Sequence, residues 1–171
     1  MNKKANIKLG YVLITLFLSI LLLSVSYILL GRYSLSEHSK NVNVMSVDLE
    51  EYSGVWYDVY STENWFQRDL ENVTAEYTLD GDRIIVYNKG YKDGEVKDIT
   101  GHAIVFDEGR LKVSFFPLLY ADYNIMFFTE DYALVGSGSK EQFWVLSRTP
   151  YLHERIIENM IEIAENNGYV R

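Results

Sequence analysis

The sequence predicts an all-β domain of short antiparallel strands behind one N-terminal helix of membrane-spanning length. Three observations lead there. From residue 54 onward, runs rich in Val, Ile, Thr, Tyr and Phe alternate with Gly-containing turn signals. Aromatic residues make up 15% of the chain, which suits half-buried pleated sheets. One uncharged run near the N-terminus is long enough to cross a bilayer.

That run is Leu9 to Gly31, 23 residues without a charge. At about 1.5 Å per residue a helix of this length spans the ~30 Å hydrocarbon core. Lys3, Lys4 and Lys8 precede it, and the positive-inside rule leaves them in the cytoplasm and exports the rest. The run exceeds the roughly 7–15 residues of a signal-peptide core and reads as an uncleaved anchor. Small residues at cleavage spacing, Ser24/Ser26 and Ser34/Ser36, keep a signal segment as the alternative. Residues 1–31 are thus assigned to the anchor or signal segment, 32–45 to a linker and 46–171 to the folded domain. The expected location is membrane-anchored, with the domain on the extracytoplasmic side.

Strands follow turn by turn. Val73–Leu79 and Arg83–Tyr87 flank Asp80-Gly81, a strong hairpin signal because Gly accepts positive φ at little cost. Asp93-Gly94 and Glu108-Gly109 mark further turns, the second between His102–Phe106 and Leu111–Phe116. Tyr123–Phe128 and Tyr132–Val135 flank Thr129-Glu130-Asp131, and Gly136–Lys140 leads into Gln142–Leu146. With Gly54–Tyr60 this makes eight strands, the pattern of a sandwich or an up-and-down barrel. After Pro150 the apolar residues Ile156, Ile157, Met160, Ile161 and Ala164 fall at helical spacing, and Gly168 ends the helix. Its other face carries Glu154, Glu158, Glu162 and Glu165, so it should cover one outer face of the sheet.

Composition removes several functions. Overall net charge is −8. The first 44 residues hold Lys3, Lys4, Lys8, Arg32 and Lys40 against Glu37, a net of +4, which leaves −12 on the remainder. Such a domain is a poor partner for nucleic acid or an anionic membrane surface. There is no cysteine, so disulfides, thiolate metal sites and Cys nucleophiles are out, and an acylated lipoprotein anchor has no thiol to use. His38, His102 and His153 follow no ligand spacing, so no metal site is expected. Gly136-Ser-Gly-Ser-Lys140 precedes a strand, whereas a phosphate loop opens a helix. Glu50/Glu51 and Glu130/Asp131 read as solvated loop residues, and Asn72-Val-Thr74 starts a strand.

Three segments, in this order and spacing, resemble the lipocalin family, and within it the bacterial lipocalin and apolipoprotein D branch. The first is Val47-Asp-Leu-Glu-Glu-Tyr-Ser-Gly-Val-Trp-Tyr57, with Gly-x-Trp at Gly54 and Trp56. The second is Asn88-Lys-Gly-Tyr91 after Val73–Tyr77. The third combines Leu111–Phe116 with Trp144-Val-Leu-Ser-Arg-Thr-Pro150. The resemblance spans about residues 46–168. It implies an eight-stranded antiparallel up-and-down barrel with the late helix packed outside. Trp56 would plug the closed end, and Arg148 would lie across its indole and join the first strand to the last. Thr129-Glu-Asp-Tyr132 is about two residues shorter than the family's second signature, so that turn should be compressed.

Strand alternation, with the family register, sets the inward face. The ligand-binding candidates are Ala75, Tyr77, Val86, Asn88, Ala103, Val113, Phe115, Tyr123, Ile125, Gln142, Trp144 and Leu146, with Val73, Leu79, Ile84, Val105 and Phe127 also inward. Their strand-mates, including Lys112 and Ser114, should form a polar outer wall. Ile85 and Tyr87 break the alternation and call for cover by a loop or by a partner, such as the second copy in a homodimer. The inward set carries no charge in this reading, and Ala75 and Ala103 argue for open space. The function this implies is binding, storage or transport of a lipid-like ligand, of the fatty-acid or lysophospholipid class, in the cell envelope without a cofactor. An isomerase-like enzyme on the same barrel is the alternative, opposed by the lack of inward acids, bases and nucleophiles. A filled barrel serving as an interaction module is the third reading. If residues 1–31 anchor the chain, the full-length protein stays in the membrane fraction through a high-salt wash, and Edman sequencing of protein from its host starts at the N-terminus rather than near Tyr27 or Glu37.

Overall fold

The computed structural model describes residues 3–36, 42–63 and 67–171. Its eight strands pair antiparallel in chain order, and the last returns to the first, so the sheet closes into a barrel without a free edge. They are β1 (Gly54–Ser61), β2 (Glu71–Asp80), β3 (Arg83–Lys92), β4 (Glu95–Asp107), β5 (Arg110–Phe116), β6 (Leu119–Phe128), β7 (Tyr132–Ser137) and β8 (Phe143–Ser147). Helix α1 (Lys3–Ser36) precedes the barrel, a single turn α2 (Leu49–Tyr52) leads into β1, and α3 (Glu154–Asn166) follows β8. The β1–β2, β3–β4, β5–β6 and β7–β8 connections ring one end, the mouth. Helix α2 and the remaining turns gather at the other, closed end.

Alternation divides the apolar residues into two cores. Trp56, Tyr77, Ile84, Val86, Ala103, Leu111, Ile125, Val135 and Leu146 fill the inside. Leu134, Phe143 and Val145 point outward and are buried beneath Met160, Ile161 and Ala164 of α3. His153 caps α3 through Nδ1, which accepts from the Arg155 N–H.

Four features depart from the sequence reading. Strand β4 begins at Glu95 rather than near His102, because Asp93 and Gly94 both take positive φ (53° and 79°) and carry pairing to the hairpin end, where Lys92 faces Glu95. The polar Lys97, Asp98 and Thr100 hid that stretch from a hydrophobic pattern. Phe127 is not inward. The β6–β7 register shifts between Ile125 and Phe127, and the extra residue reverses the phase. Phe127 therefore stacks on Tyr132 outside (5.8 Å, 12°), and Phe128 packs with the inner core. Leu79 and Val105 are 39% and 51% exposed, since each lies at a strand end near the closed-end turns. Lys112 and Ser114 do lie on the outer wall but are buried, and Lys112 Nζ pairs with Asp122 Oδ1 at 2.7 Å.

The N-terminal boundaries shift as well. Helix α1 continues past Gly31 to Ser36. Val42 is 2% exposed in the outer core, and the Met45 N–H donates to the Ile125 carbonyl, so residues 42–45 belong with the barrel. The rest of the predicted spacer, 37–41, lies outside the described residues.

The closed end is sealed around Trp56, which has no exposed surface. Its Nε1–H donates to the Tyr52 carbonyl at 2.8 Å. The Arg148 guanidinium lies 3.6 Å from the Trp56 ring centre and donates to the carbonyls of Val55, Glu51 and Glu130. One side chain thus links α2, β1, the β6–β7 turn and the end of β8. Partial desolvation lowers the Arg148 pKa from its ordinary value. Trp56→Ala should cost about 3–5 kcal/mol and Arg148→Ala about 1–2 kcal/mol. Their coupling in a double-mutant cycle of chemical denaturation should reach at least about 0.5 kcal/mol; strict additivity would contradict this account of the contact.

Candidate functional site

The lumen has two levels. Around Trp56, the residues Val86, Ala103, Ile125 and Leu146 are each under 5% exposed, and Tyr77 and Val113 are nearly so. These form a packed floor. Ala75, Phe115, Tyr123 and Trp144 pack against it yet stay partly exposed, as does Asn88, which pairs with Ala75 and shares its face. These partly exposed side chains form the upper level of the lumen. Ala103 is sealed in the floor, while Ala75, opposite Trp56, keeps some exposure. Gln142 precedes β8: its carbonyl accepts from the Ser137 backbone N–H and its own N–H donates to Ser137 Oγ at the end of β7, and it is not part of the inner core.

Polar groups sit at defined depths. The Tyr123 hydroxyl contacts those of Tyr52 (2.6 Å) and Tyr77 (2.8 Å). Three hydroxyls with two bonds between them leave one O–H to donate elsewhere. Burial raises all three phenols, Tyr77 to about 12 and the others well above their usual value, so they stay protonated as donors. Nearer the mouth, Trp144 Nε1–H donates to Gln67 Oε1 at 3.0 Å, tying the lumen wall to the β1–β2 connection. Gly101 lets the Phe115 ring lie against β4, where a Cβ would collide with it. Asn88 Oδ1 is buried and has no hydrogen-bond partner.

Asp58 is the residue that the sequence reading missed. It pairs with Leu146 across the β1–β8 ladder, and Leu146 belongs to the inner core, so Asp58 faces inward. The expectation of an uncharged lining is thereby corrected. The signal was present: Trp56 was placed inside, and a period of two puts Asp58 on the same face. Burial pushes its carboxyl up to about 6, against hydrogen bonds from the Ser61 side chain and the Tyr60 backbone that favour the charged form.

Two crevices lie elsewhere. One, of about 350 Å³, runs at the closed end between Val47, Leu49 and the β4–β5 turn. The other, of about 300 Å³, is on the outer face of β1–β3 beside Tyr57 and Tyr87. Near it Ile85 is 37% exposed, and Tyr87 donates to Asp98 Oδ2.

A barrel sealed by a Trp–Arg pair at one end, with an apolar and aromatic lining above it, is the architecture of a lumen-binding carrier protein. Residues 47–171 match the family described as a lipocalin-like domain, and the chain belongs to the lipocalin family. It is 35% identical over 160 residues to the outer membrane lipoprotein Blc of Vibrio cholerae, covering 88% of this chain and 92% of that one. It is 32% identical over 135 residues to mouse apolipoprotein D, covering 71% of each. Among solved structures, insecticyanin from Manduca sexta superposes with a TM-score of 0.60 at 16% identity, covering 74% of this chain and 78% of that one, a likeness of fold.

The raised Asp58 carboxyl ties stability to pH. Its folded pKa lies above the unfolded value of 3.8, so the native state holds the proton more tightly, and stability falls as pH rises from about 4 through 6. The shift corresponds to about 3 kcal/mol at full ionisation. Asp58→Asn should therefore stabilise the barrel at pH 8 by up to that amount and change it little near pH 4, measured by thermal unfolding at both pH values.

Proposed function

We propose that the protein binds and carries a single-chain, lipid-like hydrophobic ligand in its upper lumen, at the outer surface of the membrane that α1 spans. The apolar and aromatic upper lumen, whose side chains keep partial exposure above a packed floor, is the observation that supports this reading. Its drive is burial of the hydrocarbon chain, about 0.8 kcal/mol per CH₂, so affinity climbs with chain length until the lumen is filled. Binding rather than catalysis is the favoured role. Asp58 is hydrogen-bonded by Ser61 and a backbone N–H, and among the described residues no imidazole is among the groups that set its pKa and could activate the hydroxyl as a nucleophile.

The position of α1 supports loading from the bilayer. Leu13–Tyr33 is its apolar segment, with a mean hydropathy of 2.6, and its large side chains from Leu13 to Leu30 are exposed. Near its C-terminal end the Tyr27 hydroxyl donates to the Pro117 carbonyl, and Gly31 is buried against Leu118. Pro117 and Leu118 form the β5–β6 turn at the mouth, where Phe116 (61%) and Leu118 (45%) are exposed. With the helix in a bilayer, these contacts hold the mouth at the membrane surface.

Native mass spectrometry of the full-length protein extracted from its membrane is the test. A single-chain lipid should co-purify at one per barrel and be lost in Ala75→Phe, with the barrel's far-ultraviolet circular dichroism unchanged. Ala103→Phe, on the packed floor, should instead lower stability by about 1–3 kcal/mol through overpacking. Lipid that persists undiminished in a folded Ala75→Phe variant would place the ligand outside the lumen.

A further inference from the structure

The outer wall of the barrel is covered unequally. Helix α3 packs on β6, β7 and β8, and α1 packs on β6. Outward tyrosines on that side have ring partners: Tyr60 lies on Phe143, and Tyr132 stacks on Phe127. On β1 and β3 the outward Tyr57, Tyr87 and Tyr91 have no aromatic partner among the described residues and stay partly exposed. All three border the outer crevice of about 300 Å³. Its base is β2, where Thr74 is paired with Tyr57 and Lys89, and Glu76 with Val55 and Tyr87. Neighbouring strands are about 4.8 Å apart, so the β1 and β3 walls stand about 10 Å apart over that base. Apolar residues scattered singly on a surface need no explanation, whereas three tyrosines around one crevice do.

Polar groups that the fold does not use converge on the same crevice. The Glu76 carboxylate, the Asn72 amide and the hydroxyls of Tyr57 and Tyr91 have no hydrogen-bond or ion-pair partner among the described residues. Lys89 Nζ lies 5.7 Å from the Tyr91 ring centre and makes no ion pair with Glu76. Tyr87 is held by its hydroxyl, which donates to Asp98 Oδ2 at 2.9 Å. One carboxylate and one ammonium leave the lining without net charge, in a domain that is otherwise strongly acidic. A lining of zero net charge does not select an ion. A hydrocarbon chain laid here would strand the polar groups. Aromatic faces beside both donors and acceptors match an uncharged polyhydroxyl ring. The C–H bonds of a pyranose pack on a tyrosine face, and its rim of hydroxyls needs acceptors and donors together.

We infer that the outer crevice of β1, β2 and β3 is a carbohydrate site that takes a pyranose ring with equatorial hydroxyls, the configuration of glucose. The tyrosine rings supply the packing surface, Glu76 accepts from neighbouring hydroxyls, and Lys89 and Asn72 donate to others. Equatorial substituents leave the C–H face flat, while an axial hydroxyl would hold the ring off a tyrosine. The volume is at the lower end for small-molecule sites and suits a short stretch of glycan. The site lies outside the barrel wall and does not depend on what the lumen binds. The same ring chemistry is offered by a glycolipid head group and by a free glycan of the cell envelope.

The test is isothermal titration calorimetry of the full-length protein in phosphatidylcholine nanodiscs, with cellotetraose as the probe. The wild type should bind it saturably, with a Kd of about 1 mM or tighter. Tyr57→Ala and Tyr91→Ala should each weaken binding about tenfold through the lost ring face, and Glu76→Gln about threefold. Far-ultraviolet circular dichroism checks that each variant is folded, and Glu76→Gln, at an exposed side chain, keeps the site testable where a tyrosine variant unfolds. Ala75→Phe, on the inner face of the same strand, should leave the sugar affinity unchanged. Mannitol, which has the hydroxyls without a ring face, and phosphocholine should each bind at least about tenfold more weakly than cellotetraose. Displacement of cellotetraose by monoglucosyl diacylglycerol in the disc would identify a glycolipid head group as the source; cellotetraose binding without displacement would identify a free glycan. Absence of saturable cellotetraose binding, an affinity unchanged in Glu76→Gln and in the folded tyrosine variants, or mannitol or phosphocholine bound as tightly as cellotetraose overturns the inference.

Discussion

Strand β1 closes on β8 through Tyr57 opposite Ser147 and Asp58 opposite Leu146, and the lumen exists because of that ladder. Without it the sheet would end in two edges and its inward face would have to pack on something else. The ladder also carries a register shift between Asp58 and Tyr60. Before the shift β1 sends Trp56 and Asp58 inward; after it Tyr60 turns outward and packs on Phe143 of the outer core (5.8 Å). Arg148, just beyond the ladder, locks the junction by covering Trp56 and taking carbonyls from α2 and β1. A contact at the closed end therefore governs which β1 side chains reach the lumen.

The two cores do different work. Helix α3 and the outer faces of β6, β7 and β8 bury Met126, Leu134, Phe143 and Val145, which stiffens one wall from outside. Gly136 admits the Tyr169 ring against that wall, and the Tyr169 hydroxyl donates to the Ser137 carbonyl. A wall supported externally needs no filling from within. The floor is nonetheless packed from Trp56 to Ile125, and Ala75, Phe115, Tyr123 and Trp144 pack against it with partial exposure. The fully buried side chains are concentrated low in the barrel and beneath α3.

Helix α1 adds a geometric constraint. Its junction with the barrel is at the mouth, through Tyr27, Gly31 and the β5–β6 turn, while the Trp56 seal lies at the opposite end. A helix joined at the closed end would have pointed the mouth into bulk water. Joined here, it places the exposed Phe116 and Leu118 at the barrel end next to the apolar helix.

Much of this was legible along the chain. The eight strands follow from turn chemistry at Asp80-Gly81, Asp93-Gly94 and Glu108-Gly109, where local backbone preference dominates. Helix α3 follows from its apolar stripe, and α1 from an uncharged run, because each is a local pattern. The inward placement of Tyr77, Val86, Ile125 and Leu146 follows from period-two alternation together with the register that the family resemblance implies. What the tertiary structure decided lies where alternation is interrupted or where depth matters. A single extra residue in β6 exchanged Phe127 for Phe128, and bulges leave no mark on composition. Ala75 and Ala103 are the same residue on the same face, yet one keeps partial exposure and the other is sealed, because depth along the barrel axis is set by strand stagger rather than by sequence. Asp58 became significant only once β1 met β8, since whether a carboxylate has a counterion depends on neighbours that the chain supplies from more than eighty residues away.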